Sequence, residues 1–172
     1  MDARSIDDYL DELSDDDAAM IPRVASAKDL AQCRKDLLEL ALEPLPLGYV
    51  DFLKKCNGFA WNGIEFYSTD QVYDPESDYT LLDIVSTNDD FSDNYEMDDR
   101  VLLGRADDDY YTYNIETKKY EILEYTSTDL MEEFDSFEEL FHDVVGTRLG
   151  SVRALQEEIR QEKEKTNKIK SD

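Results

Sequence analysis

Basic residues are scarce in this chain. Eighteen Lys and Arg stand against 43 Asp and Glu among 172 residues, a formal net charge of -25. Nucleic-acid binding needs clustered Lys and Arg to neutralise phosphates, so the composition argues against it. It argues equally against docking on an anionic membrane surface. Glycine (6) and proline (4) are also sparse, which excludes collagen-like or linker-dominated sequence. No apolar run approaches the roughly 20 residues that cross a bilayer. Met1 to Met20 hold eight acids and one Arg, without the basic start and apolar run of a secretory signal. A cytoplasmic location is the resulting expectation.

Residues that carry chemistry are equally few. The two cysteines, Cys33 and Cys56, lack metal-type spacing and sit in apolar-patterned sequence, so they read as reduced, buried thiols. The single histidine, His142, lies among Leu140, Phe141 and Val145 and reads as a surface or boundary position of a helix. Acid–base and metal sites often use several histidines. Neither a Gly-rich phosphate loop nor a G-x-S-x-G elbow occurs. Two acidic runs, Asp107-Asp108-Asp109 and Asn88-Asp89-Asp90 through Asp93, resemble cation loops only in density. The sixth residue from Asp107 is Thr112, where an EF-hand loop needs glycine, and the second run lacks that glycine too. No catalytic residue, metal ligand or cofactor is assigned, and the expectation is a protein that is not an enzyme.

What is present is a core. Hydrophobic residues make up 41% and aromatics 11%, with 11 Tyr and 7 Phe. That is too much apolar material for a disordered acidic chain, and the length suits one domain. Ile6, Tyr9, Leu10 and Leu13 fit one face of a short helix in a loosely docked, acidic arm over residues 1–25. Ser26 with Asp29 resembles a capping box opening a helix that ends at the Pro44-Leu45-Pro46 stretch. Tyr49, Phe52, Leu53 and Cys56 form the stripe of a second helix, stopped at Asn57-Gly58. Asn62-Gly63 between two short apolar runs predicts a hairpin. The stretch from Leu81 to Tyr95 reads as helix. Val101 to Leu103 reads as a short apolar strand ending at Gly104, and Tyr110 to Ile115 and Tyr120 to Tyr125 alternate as two strands of an antiparallel hairpin. Ser136 and Glu139 cap a C-terminal helix that Gly146 and Gly150 weaken and that frays beyond Arg160. The organisation is thus an acidic arm (1–25), an α+β domain (26–150) and a mixed-charge helical tail (151–172).

Charge is unevenly spread. Asp70 to Asp99 hold eleven acids and no base, and Asp107 to Glu139 hold twelve acids and two Lys. Arg148 to Asp172 hold seven bases and five acids. Acidity can therefore form a face, although a solvated surface serving solubility is the plainer meaning of such runs.

Four elements in order resemble a known family. Leu45-Pro46-Leu47-Gly48-Tyr49-Val50-Asp51-Phe52-Leu53 leads to Asn57-Gly58 and then Phe59-Ala60-Trp61-Asn62-Gly63-Ile64. Val101-Leu102-Leu103-Gly104-Arg105 precedes Asp109-Tyr110-Tyr111-Thr112-Tyr113, and Glu133-Phe134-Asp135-Ser136-Phe137-Glu138-Glu139-Leu140 leads into the terminal helix. Over roughly residues 26–147 this resembles the SUKH superfamily of Smi–Knr-like domains, and within it the YrhA-like branch. The resemblance implies a single α+β domain, a mainly antiparallel sheet flanked by N-terminal and C-terminal helices. It implies a bacterial immunity protein that binds and neutralises a cognate polymorphic toxin, with no catalytic residues to carry over. Gly58, Trp61, Gly63, Gly104 and Phe137 then read as fold determinants: Gly58 at a helix cap, Gly63 in a turn, Gly104 at a strand end, Trp61 and Phe137 in the core.

A basic protein partner fits both the resemblance and the charge, since complementary fields speed association about ten- to a thousand-fold. A nuclease with a basic active cleft is one such toxin. The partner-binding residues proposed from sequence are Asp89, Asp90, Asp93, Glu96, Asp98 and Asp99 around Tyr95 as an aromatic anchor. The chain is expected to be a monomer. Two alternatives stand beside this reading: a non-catalytic regulatory interaction scaffold of the Smi–Knr-like type, and a small-ligand or metal-binding module.

Overall fold

A computed structural model of the chain describes residues 4–42, 45–91 and 99–171. The element order is α1 (Ile6–Leu13), α2 (Ala27–Glu39), α3 (Leu47–Leu53), β1 (Phe59–Trp61), β2 (Ile64–Phe66), β3 (Val72–Asp74), β4 (Tyr79–Leu81), α4 (Ile84–Phe91), β5 (Arg100–Arg105), β6 (Asp109–Asn114), β7 (Lys119–Glu124), β8 (Leu130–Phe134) and α5 (Phe137–Ser171). A six-stranded antiparallel sheet runs in the order β1-β2-β5-β6-β7-β8, and β3 and β4 form a separate hairpin. The fold is the α+β domain expected, with helices at both ends of the chain.

Local chemistry explains most boundaries. Ser26 accepts from the Asp29 amide while the Asp29 carboxylate accepts from the Ser26 amide, so α2 opens on a complete capping box. Ser5 and Asp8 do the same for α1. The helix expected to reach the prolines ends earlier, at Glu39, where Ala41 turns the chain with φ of 60°. Asn62 and Gly63 adopt φ of 49° and 83°, the pair of positive values a two-residue hairpin turn requires. The expected antiparallel β6–β7 hairpin forms, with Tyr113 opposite Tyr120.

One layer of aromatic rings joins the sheet to the helices. Phe137 of α5 lies 5.0 Å from Tyr49 and from Phe52 of α3, and 5.2 Å from Phe66 of β2, centroid to centroid. Phe141, one turn on, packs 5.5 Å from Phe66. Edge and tilted contacts of this kind are the favoured arrangements for rings. Tyr49 also ties α3 to the sheet, its hydroxyl donating to the Tyr67 carbonyl and, at 3.2 Å, to the Leu103 carbonyl.

Residues 4–25 are not the loosely docked arm expected. Ile6, Tyr9, Leu10 and Leu13 are all buried in the common core, and α1 packs on α5. The Tyr9 hydroxyl meets His142 Nδ1 at 2.5 Å, and Arg4 and Arg153 both pair with Glu12. Met20 then exchanges backbone hydrogen bonds with Ala60, so the segment also covers the β1 edge of the sheet. An amphipathic four-residue stripe was enough to specify this docking, because burying it removes apolar surface from water on both helices.

α5 is also longer than expected. It neither breaks at Gly146 and Gly150 nor frays at Arg160, but continues unbroken to Ser171. Its last buried residue is Leu149, Val152 is half-buried, and every residue from Arg153 to Ser171 is exposed.

Candidate functional site

A cavity of about 410 Å³ opens where the N-terminal segment, the β1–β2 turn, the β3–β4 hairpin and the end of β5 meet. Ala60, Trp61 and Ile64 give it an apolar wall. Its polar side is built on β2 and its neighbours. Glu65 points away from the aromatic layer, as strand alternation requires with Ile64 and Phe66 buried on the other side. One Glu65 oxygen, Oε1, accepts from the Tyr79 hydroxyl of β4. The other, Oε2, faces Arg105 Nε at 3.5 Å and is buried without a hydrogen bond. Burial raises the Glu65 carboxyl above its usual value, and Arg105 beside it opposes that shift. Asp17, Asp74 and Asp107 stand on the rim. With Glu65 they make four acids against one base, Arg105, so the cavity favours a cation.

Trp61 is buried with its indole Nε1 donating to Asp16 Oδ2 at 3.0 Å, which pins the acidic N-terminal segment beside the cavity. Gly104 is needed where β5 crosses β2: a Cβ there would lie 2.1 Å from the Glu65 carbonyl oxygen. It sits inside β5 at a β-bulge rather than at the strand's end, because only a residue without a side chain lets the two backbones approach. The sequence reading missed Glu65, Tyr79 and Arg105. Their signal was weak, since a Glu between Ile64 and Phe66 looks like any outward residue of a half-buried strand.

The acidic run expected to bind a partner is only partly described. Asp89 and Asp90 lie at the end of α4 and Asp99 precedes β5, all three exposed. Asp93, Tyr95, Glu96 and Asp98 lie outside the described residues. Of the residues read as fold determinants, Gly58 has φ of 98° between α3 and β1, Gly63 lies in the β1–β2 turn, and Phe137 is buried in the ring layer. Cys33 and Cys56 are free, buried thiols, pushed up to about 12 mainly by burial.

Among the described residues no group of three His, Cys, Asp or Glu side chains is placed to hold a metal ion, and no helix is long and apolar enough to cross a membrane. Scanned against models of known protein families, the chain matches none, and no curated protein matches its sequence.

Proposed function

We propose that this chain is a bacterial immunity protein that binds and neutralises a cognate toxin with a basic surface, in the cytoplasm of the producing cell. The observation that carries the reading is the Glu65 cavity. A buried carboxylate oxygen held only by the 3.5 Å contact with Arg105, an apolar wall and an acidic rim suit an arginine or lysine side chain brought in by a protein. An incoming guanidinium group would add N–H donors to the single long contact that Arg105 makes with Glu65 Oε2. The -25 net charge supports the same partner, through faster encounter with a basic surface. The resemblance to Smi–Knr-like domains supplies the biological class.

The test is co-expression with the product of the adjacent upstream gene. The expected result is a complex that co-purifies and a restored growth rate. Absence of both binding and rescue removes the proposal. Association should slow steeply between low and high salt, and a salt-independent rate sinks the role of charge. The exposed half of α5 favours a second reading, the regulatory interaction scaffold, for which the same co-expression would yield neither complex nor rescue.

A further inference from the structure

The exposed half of α5 carries a pattern that the solvent does not explain. Nineteen residues, Arg153 to Ser171, project from the body with no side chain buried, a rod of about 28 Å at the usual helical rise. Helices of this length owe most of their stability to an apolar face packed on something. Such a face exists. Val152, Leu155, Ile159, Glu162, Thr166 and Ile169 follow one another at steps of 3, 4, 3, 4 and 3, the spacing of a coiled-coil seam. Leu155, Ile159 and Ile169 are 58%, 44% and 77% exposed along it. Ile159, Glu162, Lys163 and Thr166, at i, i+3, i+4 and i+7, line a depression of about 380 Å³. Four residues so spaced form the hole that receives one side chain of a facing helix.

The charges say which helix faces it. Residues 153–162 carry Glu157, Glu158 and Glu162 against Arg153 and Arg160, and residues 163–171 carry Lys163, Lys165, Lys168 and Lys170 against Glu164 alone, with Glu157 and Glu164 already paired to Arg160. We propose that the projecting half of α5 pairs antiparallel with the same segment of a second copy of this chain. Laid head to tail, the slightly acidic first part of each helix meets the lysine-rich second part of the other. Leu155 then sits opposite Thr166 and Ile159 opposite Glu162, each contact occurring twice by symmetry, and Ile169 reaches the exposed side of Val152, whose other side packs on its own core. Glu158 flanks Lys165 of the second copy. A parallel pair keeps Glu158 beside Lys163 of the second copy, but it sets Glu162 against Glu162 in the seam and Lys165 against Lys170 on its flank. The antiparallel overlap spans residues 152–169, nearly the whole projecting length, so the bodies sit at opposite ends of the rod. That separation of about 28 Å also exceeds the Debye length of about 8 Å, so two strongly acidic bodies are screened from each other. The expected monomer thus gives way to a two-fold pair.

Sedimentation equilibrium on the full chain tests this, from low to high micromolar concentration at physiological salt. The expected mass rises with concentration from 20.0 kDa toward twice that value. The Leu155→Glu/Ile159→Glu variant should stay at the single-chain mass, with the melt of the domain unchanged at concentrations where the unsubstituted chain is itself single, since both positions are exposed. Orientation is read by disulfide trapping. A mixture of the Leu155→Cys and Thr166→Cys chains should cross-link to each other in preference to either with itself. A single-chain mass at every concentration overturns the proposal. So does a pair that survives the double substitution, or a Leu155→Cys chain that links chiefly to itself.

Discussion

The Tyr9 hydroxyl occupies the space that a side chain at position 146 would need: a Cβ on Gly146 would lie 2.7 Å from it. The glycine that seemed to weaken α5 is therefore the seat of α1. Gly150, one turn on, has nothing within 4 Å of its missing Cβ. The two glycines should respond in opposite ways to alanine. Gly150→Ala is expected to stabilise the fold by roughly 0.5–1 kcal/mol, the ordinary helical gain. Gly146→Ala should lose that gain and destabilise, because Tyr9 is buried and cannot swing aside. In a Tyr9→Phe background the Gly146→Ala penalty should shrink. Urea denaturation of the four chains measures it, and a penalty that persists without the hydroxyl contradicts the contact.

Glu65 predicts a pH dependence with a definite sign. Only its ionised form attracts a cation, and burial has moved its ionisation above the usual 4.5. Binding of a small guanidinium probe such as agmatine should weaken as pH falls toward and below that ionisation, and reach a plateau above it. Stability runs the other way. A carboxyl with a raised folded value contributes stability that is present below about 4.5 and lost as pH rises through the folded value. Trp61, the one tryptophan, lines the cavity, so its fluorescence reads the titration directly. Glu65→Gln should flatten the binding profile. Agmatine binding that ignores both pH and this substitution would falsify the cation site.

Glu121 is a second acid with a structural role. It is 1% exposed, and its oxygens take Arg100 Nε at 2.6 Å, Thr112 Oγ1 at 3.1 Å and Asn114 Nδ2 at 3.1 Å. Glu121→Ala removes the acceptor for all three and should cost about 3 kcal/mol, the scale for breaking a buried ion pair. The urea midpoint should fall with little change in slope. A shift of only a few tenths of a kcal/mol would show that water replaces the carboxylate.

Both thiols should be inert in the native protein. With Cys33 and Cys56 pushed up to about 12, almost no thiolate exists near neutral pH, and burial blocks access besides. A chromogenic disulfide reagent at pH 8 is expected to report no reactive thiol until denaturant is added, and then two. Rapid native reaction of either one would mean that α2 or α3 opens locally.

Elements with strong local chemistry were legible in the sequence. Ser26 with Asp29, Asn62 with Gly63 and the ring stripe Tyr49, Phe52, Leu53 each commit the backbone within a few residues. The strands that escaped, β3, β4 and β8, are short or exposed: Leu130 to Glu133 are all exposed, so β8 shows no alternation of buried and polar residues. β3 and β4 carry half-buried or exposed residues at most positions for the same reason. The cavity was illegible on a different ground. Glu65, Tyr79 and Arg105 come from three strands, and their meeting depends on sheet order, which no local pattern encodes. The acidic run was visible as composition, but composition does not say which carboxylates lose their water.

The contact between α1 and α5 has a consequence during synthesis. Tyr9 and His142 are 133 residues apart in the chain. A ribosome adding about 5–20 residues per second therefore takes roughly 7–27 seconds to make the partner of α1 after α1 itself. Over that interval Ile6, Tyr9, Leu10 and Leu13 have no helix to cover them. The six acids of Asp7, Asp8, Asp11, Glu12, Asp15 and Asp16 that flank this apolar face keep the nascent chain repelled from its neighbours until α5 arrives.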